Sequence, residues 1–313
     1  MSSARIESIE FIEEASAISD ALAAGLEVTP EVIASLEELL ETFHARFIAG
    51  DDGRDLLAGA RDSLNYINGL DGRDVIFGSR NTDILVGGDG RDSLFGGRSA
   101  DGLFGGDGRD FLSGGSGDDL LRGGDGRDSL LGDSGDDVIE GGGGRDHGVG
   151  GRGDDNLFGQ GQRDALYGNR GDDILDGGNG SDRLNGNRGD DTLIGGSGND
   201  RLIGRDGADI FVFDPSNENE GHDVIRDFVI GADAIQLDAA DILASSPGIA
   251  DADGDSAFSP GDLDADARWT LTASDRGNLL VTHPGGTIEI ASVDFDDSLT
   301  FAALVDLDVV LVA

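Results

Sequence analysis

The chain has 313 residues, 54 of them glycine and none cysteine, and a formal net charge of −42 with a pI near 4.1. The missing cysteines exclude a disulfide framework, so acidic a surface excludes nucleic acid as a natural partner, and without a run of about eighteen apolar residues there is no helical membrane span. Self-repulsion and glycine entropy predict a chain that stays unfolded until cations neutralise it.

Residues 1–49 differ in composition from the rest of the chain. Ile6, Ile9, Ile12, Ile18 and Leu22 share one helical face, as do Val32, Ile33, Leu36, Leu39, Leu40, Phe43 and Phe47. Thr29-Pro30 is a helix start and Gly50 a stop, so the segment is predicted to be an α-helical cap. The start, Met1-Ser2-Ser3-Ala4-Arg5-Ile6-Glu7, lacks the basic region and apolar core of a Sec signal.

Residues 50–212 repeat a nine-residue unit. An early unit runs from Gly50 to Ala58, followed by a degenerate one with Asn65 in the Asp place and one inserted residue. From Gly69 to Val212 sixteen units hold register: Gly at position 1, Asp at position 6, and Ile, Leu or Phe at position 8 except at Gly148. Position 4 is Gly except at Asn81, Ser99 and Gln162. Such a unit buries nothing alone and is stabilised only by stacking on its neighbours. The Gly-x-x-Gly-x-Asp half is a turn built on positive φ, and the x-aliphatic-x half is a short strand. Helix is excluded, since each interior glycine costs about 1 kcal/mol there. One inward side chain per unit requires two units per coil, a period of eighteen residues and two thin facing sheets.

Stacking at roughly 4.8 Å places Asp74, Asp92, Asp110, Asp128 and Asp146 in one column and Asp83, Asp101, Asp119, Asp137 and Asp155 in another. The same spacing carries Asp164, Asp173, Asp182, Asp191, Asp200 and Asp209 and, upstream, Asp55. Unit charges about 4 Å apart repel by about 4 kcal/mol near a protein surface, so a column demands cations. Carboxylates with the carbonyls of position 4, namely Gly72, Gly90, Gly108, Gly117, Gly126, Gly135, Gly144, Gly153, Gly171, Gly180, Gly189 and Gly198, form an all-oxygen set. That set suits Ca2+ rather than zinc or copper. The alternative is that each Asp caps its own turn; sixteen in sixteen at one position exceeds that preference.

These units resemble the Gly-Gly-x-Gly-x-Asp-x-aliphatic-x nonapeptide of the repeats-in-toxin (RTX), or hemolysin-type, calcium-binding family. The resemblance implies a parallel β-roll holding Ca2+ between the turns of successive coils. Gly207-Ala208-Asp209-Ile210-Phe211-Val212-Phe213, Asp223-Val224-Ile225-Arg226-Asp227-Phe228 and Asp233-Ala234-Ile235-Gln236-Leu237-Asp238 look like the segment that caps the roll in serralysin-type proteases. No His-Glu-x-x-His is present, so no protease is implied. RTX-like proteins carry an uncleaved C-terminal signal for type I secretion, and the ending Asp308-Val309-Val310-Leu311-Val312-Ala313 is similar to it.

Residues 213–313 are predicted to be a β-rich capping domain with that signal. Within it Asp251, Asp253, Asp255 and Asp262 have EF-hand-like spacing, although Ser256 replaces the loop glycine and Pro260 stands where a helix should begin. His44, His147, His222 and His283 are scattered and assemble no catalytic set. Arg152-Gly153-Asp154, Arg170-Gly171-Asp172 and Arg188-Gly189-Asp190 follow from the repeat and carry no adhesive meaning of their own. A second-order pattern alternates Arg73, Arg91, Arg109, Arg127, Arg145 and Arg163 at position 5 with Asp118, Asp136, Asp154, Asp172 and Asp190 in the intervening units. Position 3 is reciprocal, which predicts a ladder pairing position 3 of one coil with position 5 of the next. The favoured reading is a secreted calcium-binding, non-enzymatic structural or adhesive protein at the cell surface. An acidic-polysaccharide (alginate-like) binding module and an unrecognised hydrolase are the alternatives.

Overall fold

One aliphatic side chain every nine residues, between polar or glycine neighbours, specifies strands too short to pair within themselves; they are stabilised only by an identical strand one coil away. A computed structural model describes residues 46–213 except 62, then 221–229 and 232–238. It also describes the backbone of strands Thr270–Ala273, Leu279–His283, Gly286–Ile290 and Val309–Val312. The chain forms two compact units, Met1–Asn156 and Leu157–Ala313, and the described residues contain no helix.

In the first unit two stacks of parallel strands alternate along the chain. One holds Arg46–Ala49, Asn65–Gly72, Asp83–Gly90, Gly102–Gly108, Leu120–Gly126 and Val138–Gly144. The other holds Leu56–Ala58, Val75–Ser79, Ser93–Arg98, Phe111–Ser116, Ser129–Ser134 and His147–Arg152. Registers step by eighteen residues, so Ile67, Leu85, Leu103, Leu121 and Ile139 stack in one column. Ile76, Leu94, Leu112, Leu130 and Gly148 stack in the other. Every aliphatic member of both columns is 0% exposed, and each contributes about 1.5–3 kcal/mol by burial. The first pairings, Phe47 with Tyr66 and Leu57 with Ile76, step by nineteen and absorb the inserted residue.

Arg46–Ala49 corrects the expected boundary: this segment is a strand, not the end of a helix stopped at Gly50. Ile48 occupies the inward place and faces Ile67, because Phe47-Ile48-Ala49 before Gly50 is the strand half of one more unit. The helical cap expected over the rest of residues 1–49 falls on 1–45, outside the described residues. At outward positions Tyr66, Ile84 and Phe104 are buried, whereas Phe77 on the opposite stack is 42% exposed and stacks on Phe95 at 5.0 Å. In later coils Arg122 bonds Glu140 at 2.9 Å and lies over the Phe104 ring.

The second unit repeats the scheme. Ala165–Arg170, Arg183–Arg188, Arg201–Asp206, Gly221–Ile225 and Gly286–Ile290 form one parallel stack. Ile174–Asp176, Thr192–Ile194, Ile210–Phe213, Ala234–Asp238 and Val309–Val312 form the other. The parallel ladder therefore continues past Val212, with its step widened to 23 residues at Leu202–Ile225 and 24 at Ile210–Ala234. Leu279–His283 adds antiparallel to Gly286–Ile290, and Thr270–Ala273 to Leu279–His283.

Candidate metal centre

Each turn is shaped by backbone that side chains resist. Positions 2 and 4 take positive φ, as at Gly106 (102°) and Gly108 (154°). A Cβ on Gly108 would lie 1.7 Å from the carbonyl oxygen of Gly90, the equivalent residue one coil earlier. Position 4 must be nearly bare for the coils to close at strand spacing.

Within that turn the position 6 carboxylates behave alike. In the first unit the N–H of Asp55, Asp74, Asp83, Asp92, Asp101, Asp110, Asp119, Asp128 and Asp137 donates to Oδ1 of the next Asp in its column at 2.7–2.8 Å. These acceptors run down to Asp146 and Asp155, both buried. In the second unit Asp164, Asp173, Asp182, Asp191, Asp200 and Asp209 donate in the same way at 2.7–3.1 Å. Asp74 through Asp209 are 0–3% exposed. Oδ2 of Asp74, Asp92, Asp101, Asp110, Asp119, Asp128, Asp137, Asp182, Asp191, Asp200 and Asp209 is buried and accepts no hydrogen bond. That oxygen faces the position 1 glycine of its own turn: a Cβ on Gly96 would sit 2.6 Å from Oδ2 of Asp101 and 2.6 Å from the carbonyl of Gly114. Buried polar atoms are almost always partnered, so a row of orphaned carboxylate oxygens beside backbone carbonyls is a candidate row of cation ligands. The set is all oxygen, which fits Ca2+. Among the described residues no three His, Cys, Asp or Glu side chains converge as a cage; each turn offers a carboxylate with carbonyls instead.

Burial also raises the carboxyl pKa values. Asp101 is pushed up to about 10, by burial first and then by Asp119 and Asp83. Asp119 rises to about 8, and Asp110, Asp137, Asp182 and Asp191 to about 7, burial again leading each shift.

The self-capping alternative is seen at the column ends. Oδ2 of Asp55 accepts the N–H of Asp51 in its own turn at 2.8 Å, and Oδ2 of Asp233 accepts that of Val229 at 2.6 Å. Asn65 ends the second column, its carbonyl oxygen taking the N–H of Ala60 and its amide donating to Asp83. Asp223 and Asp233 lie outside the nonapeptide register and are not site residues by that pattern, yet they extend the two columns below Asp200 and Asp209. The signal is present in Gly221-His222-Asp223-Val224-Ile225 and Gly231-Ala232-Asp233-Ala234-Ile235, which keep positions 4 to 8 of the unit but have Glu218 and Phe228 in place of the position 1 glycine. Among the position 4 carbonyls, those of Gly72, Gly90, Gly108 and Gly126 accept the N–H of Arg91, Arg109, Arg127 and Arg145 at 3.2–3.3 Å. Asp251, Asp253, Asp255 and Asp262 lie outside the described residues.

A family model of the RTX calcium-binding nonapeptide repeat, four copies long, matches residues 62–94, 77–112, 113–148, 140–175, 149–184 and 176–211. The chain carries RTX calcium-binding repeats. RTX repeats bind Ca2+, and the buried Asp columns of the roll fit that role. A comparison with curated proteins gives no match. Among solved structures the chain is similar to the extracellular lipase LipA from Serratia marcescens, at 16% identity and a TM-score of 0.25, over 86% of this chain and 40% of the lipase. It spans well under two thirds of the lipase, and a similarity of that size carries no argument about activity.

The expected charge ladder is corrected in one respect. Arg188 meets Asp206 at 3.8 Å, position 3 with position 3, because an in-register parallel stack brings like positions together. In the first unit the position 5 carboxylates bond backbone: Asp136 N–H donates to Asp118 Oδ1 and Asp154 N–H to Asp136 Oδ1, both at 3.1 Å.

Proposed function

We propose that this RTX chain is an extracellular, non-catalytic scaffold that leaves the cell unfolded through a type I exporter, folds on calcium outside, and serves a structural or adhesive role at the cell surface. The observation that carries this reading is the row of buried, unpartnered Oδ2 atoms, which makes the fold costly where calcium is scarce and favourable where it is abundant. Folding only after passage gives export a direction. Co-expressed with a type I exporter, the full chain should collect in the medium, and a truncation lacking Asp308 to Ala313 should remain inside. Equal export of the truncation would reject the C-terminal tail as the address.

One observation favours a second reading, binding of an acidic polysaccharide such as alginate. Arg73, Arg91, Arg109, Arg127 and Arg145 are all exposed and recur at coil spacing along one edge. Replacing Arg91, Arg109, Arg127 and Arg145 by Gln should abolish salt-sensitive glycan binding while leaving calcium-dependent folding intact; unchanged binding would dismiss this reading.

A further inference from the structure

The turns of the RTX roll are not equally charged. On the edge carrying Asp83, Asp101, Asp119, Asp137 and Asp155, position 3 is Arg80, Arg98 and Arg152 in three turns but Ser116 and Ser134 in the two between them. Those two turns hold Asp118 with Asp119, and Asp133 with Asp136 and Asp137, five carboxylates and no basic residue. On the opposite edge every turn from Gly69 to Asp128 places an Arg beside its position 6 Asp and carries one Asp at position 3.

Each of the five carboxylates accepts a hydrogen bond within the roll, although Asp133 and Asp136 are exposed. Asp133 stands at position 2 with φ of 73°, a conformation that costs a non-glycine residue energy. Its Oδ2 accepts the hydroxyl of Ser113 at 2.8 Å. Oδ1 of Asp118 accepts the N–H of Asp136, and Oδ1 of Asp136 accepts that of Asp154. Inside this rim, Asp119 and Asp137 are 2% and 0% exposed, each with an unpartnered Oδ2 that faces its own position 1 glycine, Gly114 or Gly132. The register sets Ser116 against Ser134, while Arg98 and Arg152 sit one strand beyond on either side.

We infer that the calcium site between the turns Gly114–Asp119 and Gly132–Asp137 is the tightest of the first unit and the first to fill, so that folding of this unit starts there. Cation affinity rises with the number of anionic ligands and near neighbours, and a stacked repeat can nucleate at whichever pair of neighbours is most stable. This inference rests on the calcium reading of the roll.

The test is calcium titration of the chelator-stripped full chain by calorimetry, with circular dichroism on the same samples. The wild type should show one high-affinity class at least about tenfold tighter than the rest. Asp118→Asn/Asp133→Asn/Asp136→Asn, which keeps the side-chain acceptors of those bonds, should lose that class and fold at higher calcium, yet reach the same β-signal at saturation. Asp71→Asn/Asp89→Asn/Asp107→Asn, which removes equal charge from the opposite edge, should keep the class. Equal behaviour of the two triple variants would overturn the inference while leaving calcium binding standing. A wild type that takes up no calcium would instead sink the reading beneath it. If the first variant fails to reach the saturated β-signal, Asp133→Asn alone is titrated, and an unchanged tight class there overturns the inference.

Discussion

A position 6 carboxylate does two things at once: Oδ1 ties its coil to the previous one through a backbone N–H, and Oδ2 is left for a cation. Asp137→Ala therefore removes a ligand and also leaves the buried N–H of Asp119 without its acceptor, a loss of about 1–3 kcal/mol before calcium is counted. Asp55→Ala, at the half-buried column end where Oδ2 caps its own turn, should cost less; thermal melts in calcium compare them. Gly108→Ala should be worse than its size suggests, by at least about 1–3 kcal/mol, because the new methyl meets the Gly90 carbonyl. Gly143→Ala meets only the far end of the Asp125 side chain and should be mild; equal melting points would refute the close-approach argument. The glycine and aspartate positions are legible from the sequence because each has a single physical reason. The split roles of Oδ1 and Oδ2 are not, since they depend on which backbone N–H the stacked coil presents.

At the scale of the strand, one aliphatic side chain does the packing. Leu121 stacks between Leu103 and Ile139 and is fully buried, so Leu121→Ala should cost about 2–5 kcal/mol, read as a shifted denaturation midpoint in calcium. A roll that tolerates this change would not rest on that row. The two stacks and their eighteen-residue step follow from the nonapeptide alone. Arg46–Ala49 reads as helix in the sequence because Phe47 continues a helical spacing begun at Val32, and periodicity over so few residues does not separate strand from helix. The extension through Asp223 and Asp233 is obscured because the connections lengthen and lose the position 1 glycine, while Gly221, Gly231 and the strand signature persist.

At the scale of the whole molecule, the columns and the net charge of −42 set how folding depends on pH and on metal. Without metal, the folded chain holds protons on Asp83, Asp92, Asp128 and Asp209 up to about pH 6, on Asp110, Asp137, Asp182 and Asp191 to about 7, and on Asp119 to about 8. The unfolded carboxyl value is 3.8. With Asp101 protonated to about 10, the fold binds more protons than the unfolded chain between about pH 4 and 10, and its stability falls as pH rises through that window. Acidifying the chelated protein from pH 8 toward 5 should restore β-signal in part. No recovery would occur if the carboxylates were solvated in the fold.

The most direct test of calcium-dependent folding is the secondary structure and hydrodynamic radius of the full chain at neutral pH, in chelator and then in millimolar calcium. We expect an expanded chain without roll signal in chelator and a cooperative change to compact β structure with calcium. Magnesium should be a poor substitute because of its octahedral demand. A chelated chain already as compact and as rich in β structure as the calcium form would contradict a roll held together by calcium.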